Sequence, residues 1–147
     1  MCGELKEESE SEKLLGVVVN NTMTWKHHIF GNHDNLGLIK DLSKRIGILK
    51  YLRKFMPNYR FNQIVSGLFT SKLIYCITCW GGIWNLTDQQ YNNRQNTAIS
   101  MEAMRKLQTI QNKVMRLMTG LDYYTPTKDL LKHSKQLSVH QLVAYHT

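Results

Sequence analysis

The two cysteines Cys76 and Cys79 have a spacing that is used by both metal sites and redox sites. A structural zinc ion takes four ligands, and a redox-active CxxC has its first Cys at the N-terminus of a helix. The chain has no second CxxC, and Cys2 is its one other cysteine, an odd set that agrees with a reducing compartment. Because the pair ends an apolar helical pattern, we expect two buried thiols that hold no metal.

Three histidines form a second candidate, because His27, His28 and His33 precede Asp34 closely. Residues 31–35 faintly resemble part of an HNH nuclease signature but lack its other parts. We therefore expect a turn with exposed histidines and no metal.

Lysines give the strongest candidate for binding. When Lys40, Lys44, Lys50 and Lys54 are wound at roughly 100° per residue, they fall on one side of a helix. Exposed helices usually carry both signs of charge, and no Glu separates these lysines. The face could simply be solvated, but the absence of Glu favours contact with phosphates.

The net charge of +8 is unevenly distributed. Residues 1–12 carry five Glu and one Lys, or −4, so the rest carries +12 from eighteen Lys and Arg against six Asp and Glu. A strongly basic body suggests an anionic partner, of which nucleic acid is the commonest.

No apolar run approaches the roughly 20 residues that span a bilayer, so we expect no membrane partner and an intracellular location.

The apolar periodicity predicts a mainly α protein with a short β-hairpin near its N-terminus. Residues 1–12 are predicted to be an acidic disordered segment, and residues 13–29 a hairpin. The hairpin would have one strand over 14–19 and a turn at Asn20-Asn21, and residues 22–29 would form a second strand or start a helix. Residues 30–147 would be helical, with an Asn- and Gln-rich loop at about 85–100. The predicted helices span about 36–56, 59–79 and 101–119, and two short ones follow Thr125-Pro126 and Ser138.

Several segments, in this order, resemble the region that follows the catalytic palm in reverse transcriptases of non-LTR retrotransposons of the jockey and CR type. The first is Leu15-Gly16-Val17, followed by Trp25 and by His28-Ile29. The others are Ser43-Lys44-Arg45-Ile46-Gly47-Ile48-Leu49, Leu73-Ile74-Tyr75-Cys76 with Trp80-Gly81, and Leu107-Gln108-Thr109-Ile110-Gln111-Asn112-Lys113-Val114-Met115-Arg116. The resemblance runs from about residue 13 to residue 147. In those enzymes this region leaves the primer-grip strand and enters the helical thumb.

The resemblance implies a thumb-like bundle that lies along the RNA–DNA duplex of template and primer. Leu15 and Gly16 would match the primer-grip turn. The contacts to the nucleic-acid backbone would come from Lys26, Lys40, Lys44, Lys50, Lys54, Lys113 and Arg116. Trp25 could stack on a base, but we favour packing under the hairpin.

Polymerase chemistry needs a pair of Asp residues that hold two metal ions, and the chain has no adjacent Asp pair. We therefore expect a fragment without its catalytic palm, with no enzymatic activity, catalytic residue, metal or cofactor of its own. The palm of a parent polymerase would be a further partner. A helical protein–protein interaction module with no nucleic-acid role is the alternative, and salt-sensitive binding of a hybrid duplex would separate the two.

Overall fold

The computed structural model describes residues 10–21, 25–81 and 101–146. It confirms the mainly α fold with one two-stranded hairpin near the N-terminus. The elements are β1 Ser11–Leu14, β2 Val17–Asn20, α1 Lys26–Phe30, α2 Leu38–Leu52, α3 Asn58–Val65, α4 Ser71–Ile74, α5 Ile77–Gly81, α6 Met101–Thr119, α7 Thr127–Ser134 and α8 Val139–His146. The Asn- and Gln-rich loop predicted at about 85–100 lies outside the described residues. No helix in the described ranges is long and apolar enough to cross a bilayer.

The position predicted for the hairpin was wrong. Its turn is Leu15-Gly16, with φ of 49° and 85°, and Leu14 pairs with Val17 across it. A two-residue turn with positive φ at both central positions joins strands tightly; Gly16 adopts that φ at no steric cost, and Leu15 adopts it as a non-glycine residue, within what looked like one apolar strand. β1 therefore begins at Ser11, inside the segment predicted to be disordered, and α1 replaces the second strand that residues 22–29 could have formed.

The core is built mainly from the apolar faces of α2, α3, α4 and α6. The predicted stripe of α2 is buried at Leu38, Leu42, Ile46 and Leu49. These side chains share one cluster with Phe61 and with residues of α6. Burial of continuous apolar faces is the main force that holds short helices in place, because such helices are marginal in isolation.

The single helix predicted over 59–79 is interrupted. After α3 the chain widens into one π turn, Ser66–Thr70, and then resumes as α4. It breaks at Tyr75 and at Cys76, whose φ is 52°, a left-handed conformation that costs a non-glycine residue about 1–2 kcal/mol. The break turns α5 so that Trp80 is fully buried and its indole N–H donates to the Tyr75 carbonyl at 3.1 Å. Burying an aromatic of this size offsets that cost.

The C-terminal half follows the predicted boundaries closely. α6 spans Met101–Thr119, and Gly120 ends it with φ of 70° and an N–H bond to the Arg116 carbonyl at 2.8 Å. Ser138 caps α8 as predicted, since its hydroxyl accepts from the Gln141 N–H at 3.1 Å, and Gln141 Oε1 accepts from the Ser138 N–H at 2.9 Å. This reciprocal pair is a capping box.

Candidate nucleic-acid interface

The outer face of α2 is cationic. Lys40, Lys44 and Lys50 are all exposed. The one carboxylate of α2, Asp41, is half-buried, and its Oδ2 lies 3.5 Å from Arg45 Nε and 3.7 Å from Lys72 Nζ. Because Asp41 is engaged by Arg45 and Lys72, it leaves the charges of Lys40, Lys44 and Lys50 unpaired within α2.

Lys54 lies beyond the end of α2, which was predicted to reach about residue 56 and ends at Leu52. The turn that follows is held by Arg53, whose Nε donates to the Leu117 carbonyl at 2.9 Å and whose Nη2 donates to Asn58 Oδ1 at 2.6 Å. Lys54 is exposed in this turn, so it extends the cationic face past the helix.

Exposed aromatic side chains adjoin these lysines, and the sequence reasoning missed them. Tyr51 and Phe55 are 64% and 68% exposed, and their ring centroids are 5.2 Å apart. Each follows a lysine directly, at Lys50 and Lys54. Aromatic rings beside cations are a common arrangement for stacking on bases while the cations meet phosphates. The repeated Lys-aromatic pair, four residues apart, is the sequence signal that could have revealed them.

The remaining basic residues of the predicted site lie on other elements. Lys26 is exposed on α1, and Lys113 is exposed on α6. Arg116 is half-buried, with its guanidinium carbon 5.2 Å from the centroid of the Tyr123 ring and Nη2 3.5 Å from the Thr125 carbonyl. These contacts use Arg116 to hold the segment after α6, so it is a weaker candidate for phosphate than the lysines of α2.

The hairpin turn that was predicted to match a primer grip is held in place by Tyr75. The Tyr75 hydroxyl donates to the Leu15 carbonyl at 2.6 Å. The Leu15 side chain is 91% exposed, and Gly16 packs near the Tyr75 ring. The turn therefore presents an apolar tip whose backbone is held by the break between α4 and α5.

The histidines do not lie together on the surface as expected. His33 is exposed and His27 is half-buried, but His28 is buried at 5% exposure, so the expectation was wrong for His28. Its Nδ1 accepts from the Val18 N–H at 3.4 Å, and its ring lies near Trp25 and Trp80. Burial, with a smaller contribution from the charge of Lys72, lowers the pKa of His28 from 6.5 to about 4. The described ranges hold no group of three His, Cys, Asp or Glu residues placed to bind a metal.

The buried His28 should make stability depend on pH. Its folded pKa of about 4 lies below the value of 6.5 expected in the unfolded chain. The unfolded state therefore takes up a proton first as the pH falls, and the stability present above 6.5 is lost between that pH and about 4. Denaturant titrations should show a loss on the order of 2 kcal/mol between about pH 7 and about pH 5.

Two variants separate this effect from the titration of other groups. His28→Gln should remove most of the loss, whereas His33→Gln, at an exposed histidine, should keep it. An unfolding free energy of the unmodified protein that stays constant over this range would contradict the burial of a neutral imidazole.

The expectation of two buried thiols was wrong for Cys79 and is met only in part by Cys76. Cys76 is half-buried, but Cys79 is exposed. Because the chain breaks at Cys76, α5 turns Ile77 and Trp80 inward and leaves Cys79 on the outer side.

Comparison of the chain with family models, curated proteins and solved structures found no match.

Proposed function

We propose that this chain binds the sugar–phosphate backbone of an RNA–DNA hybrid, as the primer-grip and thumb portion of a reverse transcriptase of the non-LTR retrotransposon type. The observation that carries the proposal is the outer face of α2, where Lys40, Lys44 and Lys50 are exposed and the one carboxylate of the helix, Asp41, is paired with Arg45 and Lys72. The RNA–DNA hybrid is chosen as the ligand because several segments of the sequence, in the same order, resemble the thumb region of those reverse transcriptases.

The chemistry of the face favours phosphates over base edges. Lysine is a flexible point charge, which suits contacts to phosphate oxygens but gives little geometric selectivity among bases. At 1.5 Å of rise per residue, the three lysines of α2 extend over about 15 Å of helix, enough to follow a strand backbone. Tyr51 and Phe55 add apolar surface at one end of this row, where a base or sugar could pack.

The proposed role is binding alone. The sequence has no adjacent pair of Asp residues to hold catalytic metal ions, so extension of a primer would depend on a palm supplied by a parent polymerase. Purified protein supplied with magnesium, nucleotides and a primed template should give no extended product.

Equilibrium binding to labelled duplexes tests the proposal. We expect saturable binding of a short RNA–DNA hybrid that is indifferent to its sequence and weakens steeply with salt, with a slope of roughly −0.7 to −0.9 per phosphate contact on a double-logarithmic plot. Poly-glutamate of similar length is the control polyanion. Binding of poly-glutamate as tightly as the hybrid, or no binding of the hybrid in low salt, would contradict the proposal and favour a protein–protein interaction module.

A further inference from the structure

A second cationic site lies away from the outer face of α2, in a pocket between the hairpin and the first turns of that helix. The pocket encloses about 390 Å³. Its polar and charged walls come from the hairpin, from α1, from the start of α2 and from α4. The residues that matter for its chemistry are Lys13, His28, Gly37, Asp41, Arg45 and Lys72.

The charges of the pocket favour an anion. Lys13, Arg45 and Lys72 line the pocket together with one carboxylate, that of Asp41, which gives the walls a net charge of +2 with His28 neutral. Asp41 pairs with two of these cations and so holds them at the wall. Arg45 is further fixed by a bond from its Nη1 to the Leu68 carbonyl at 2.9 Å. A fixed excess of positive charge in a concave site attracts an oxyanion more strongly than a flat surface does.

Two buried N–H donors in the pocket walls lack a hydrogen-bond partner among the described residues. The first is Nε2 of His28, on a side chain that is only 5% exposed and whose Nδ1 is already used as an acceptor. The second is Nε of Arg45, which lies 3.5 Å from Asp41 Oδ2 in an ion pair but makes no hydrogen bond to it. Buried donors without partners are costly, so they mark a place where an acceptor is missing.

The backbone adds further donors. Gly37, the residue just before α2, lines the pocket, and no side chain among the described residues caps this helix end. The first N–H groups of a helix have no partner within the helix, and they favour negative charge. Gly37 before the helix start, the three cations and the two residues with unpaired donors all line this one pocket.

We propose that this pocket binds a tetrahedral oxyanion of the phosphate class, held by Lys13, Arg45, Lys72 and the start of α2. Phosphate suits the site because it offers several acceptor oxygens to donors that come from different directions. The site uses none of the lysines on the outer face of α2 and does not rest on the proposed function. Free phosphate, a nucleotide and the phosphorylated end of a nucleic acid share this chemistry.

Calorimetric titration of the full chain with inorganic phosphate tests the proposal, and the NMR signal of the His28 ring reports occupancy at the site. We expect saturable binding that shifts this signal. Lys13→Gln and Lys72→Gln should each weaken phosphate binding roughly tenfold, because each removes a charged donor. Asp41→Asn should strengthen it several-fold by removing the one opposing charge, an effect that a purely structural role would not produce.

Controls keep the test decisive. Lys128→Gln, at an exposed lysine of α7 outside the pocket, should leave phosphate affinity unchanged. Lys13 is exposed on β1, so its variant should fold even if a change at Lys72 disturbs the pairing with Asp41. No saturable phosphate binding by the unmodified protein, or unchanged affinity in the Lys13 variant, would overturn the proposal.

Two further arms identify the source of the phosphate. Tighter binding of an oligonucleotide with a 5′-phosphate than of its 5′-hydroxyl form would assign the site to a nucleic-acid end. Tighter binding of a nucleoside monophosphate or of free phosphate would assign it to a small molecule, and either result supports the pocket. Replacing Lys40, Lys44 and Lys50 should leave phosphate binding intact, so failure of hybrid binding and failure of this site can be distinguished.

Discussion

Changing Lys40, Lys44 and Lys50 to Gln should weaken binding of an RNA–DNA hybrid on the order of a hundredfold at about 0.15 M salt. All three side chains are exposed on α2, and each lost phosphate contact removes the release of about 0.7–0.9 counterions. The salt slope should fall by about 2–3 in total. Fluorescence anisotropy across a range of salt concentrations measures both quantities.

The matched control removes the same charge elsewhere. Lys128, Lys132 and Lys135 are exposed on α7 and just after it, and changing them to Gln lowers the net charge equally. This control should lose little affinity if α2 makes the contacts. Gln is a good helix former, so circular dichroism should show that both variants keep their helicity. Equal losses in the two variants would mean that only net charge matters and would count against a defined interface.

Replacing Gly37 with Ala should destabilise the fold by more than about 4 kcal/mol. Gly37 has φ of 79° and ψ of 155°, a conformation that is nearly exclusive to glycine and strains other residues by about 1–3 kcal/mol. A Cβ at this position would also lie 2.3 Å from the backbone N of Gly31, which cannot move aside easily. The backbone strain and the steric overlap add, because an alanine that adopts the strained conformation still places its Cβ against Gly31.

Gly47→Ala is the control, with the opposite expected sign. Gly47 is an exposed residue within α2, and a Cβ there meets nothing within 4 Å. The change should stabilise the protein by about 0.5–1 kcal/mol, since glycine loses more backbone entropy than alanine in a helix. Thermal or denaturant unfolding of both variants measures the difference. A Gly37→Ala variant as stable as the unmodified protein would contradict the close approach of Gly37 to the backbone of Gly31.

The sequence by itself determined which segments form most of the helices and which faces they bury. Apolar residues that recur every three or four positions predicted the buried side of α2 and both ends of α6, and Ser138 marked the start of α8. These features depend on local periodicity and capping, so they can be read without knowledge of distant residues. The exposure of Lys40, Lys44 and Lys50 followed from the same periodicity.

Only the tertiary structure decided where the chain departs from the helices and strands that the local sequence pattern predicts. The turn at Leu15-Gly16 depends on a bond from Tyr75, which is 60 positions away, and the break at Cys76 is coupled to the burial of Trp80. His28 is buried and lines the pocket because the hairpin and Lys72 pack around it. Its neighbours in the sequence had predicted an exposed turn. Contacts between residues far apart in the chain can offset local strain and desolvation costs that a short segment cannot offset by itself. Such features therefore cannot be predicted from a local sequence pattern.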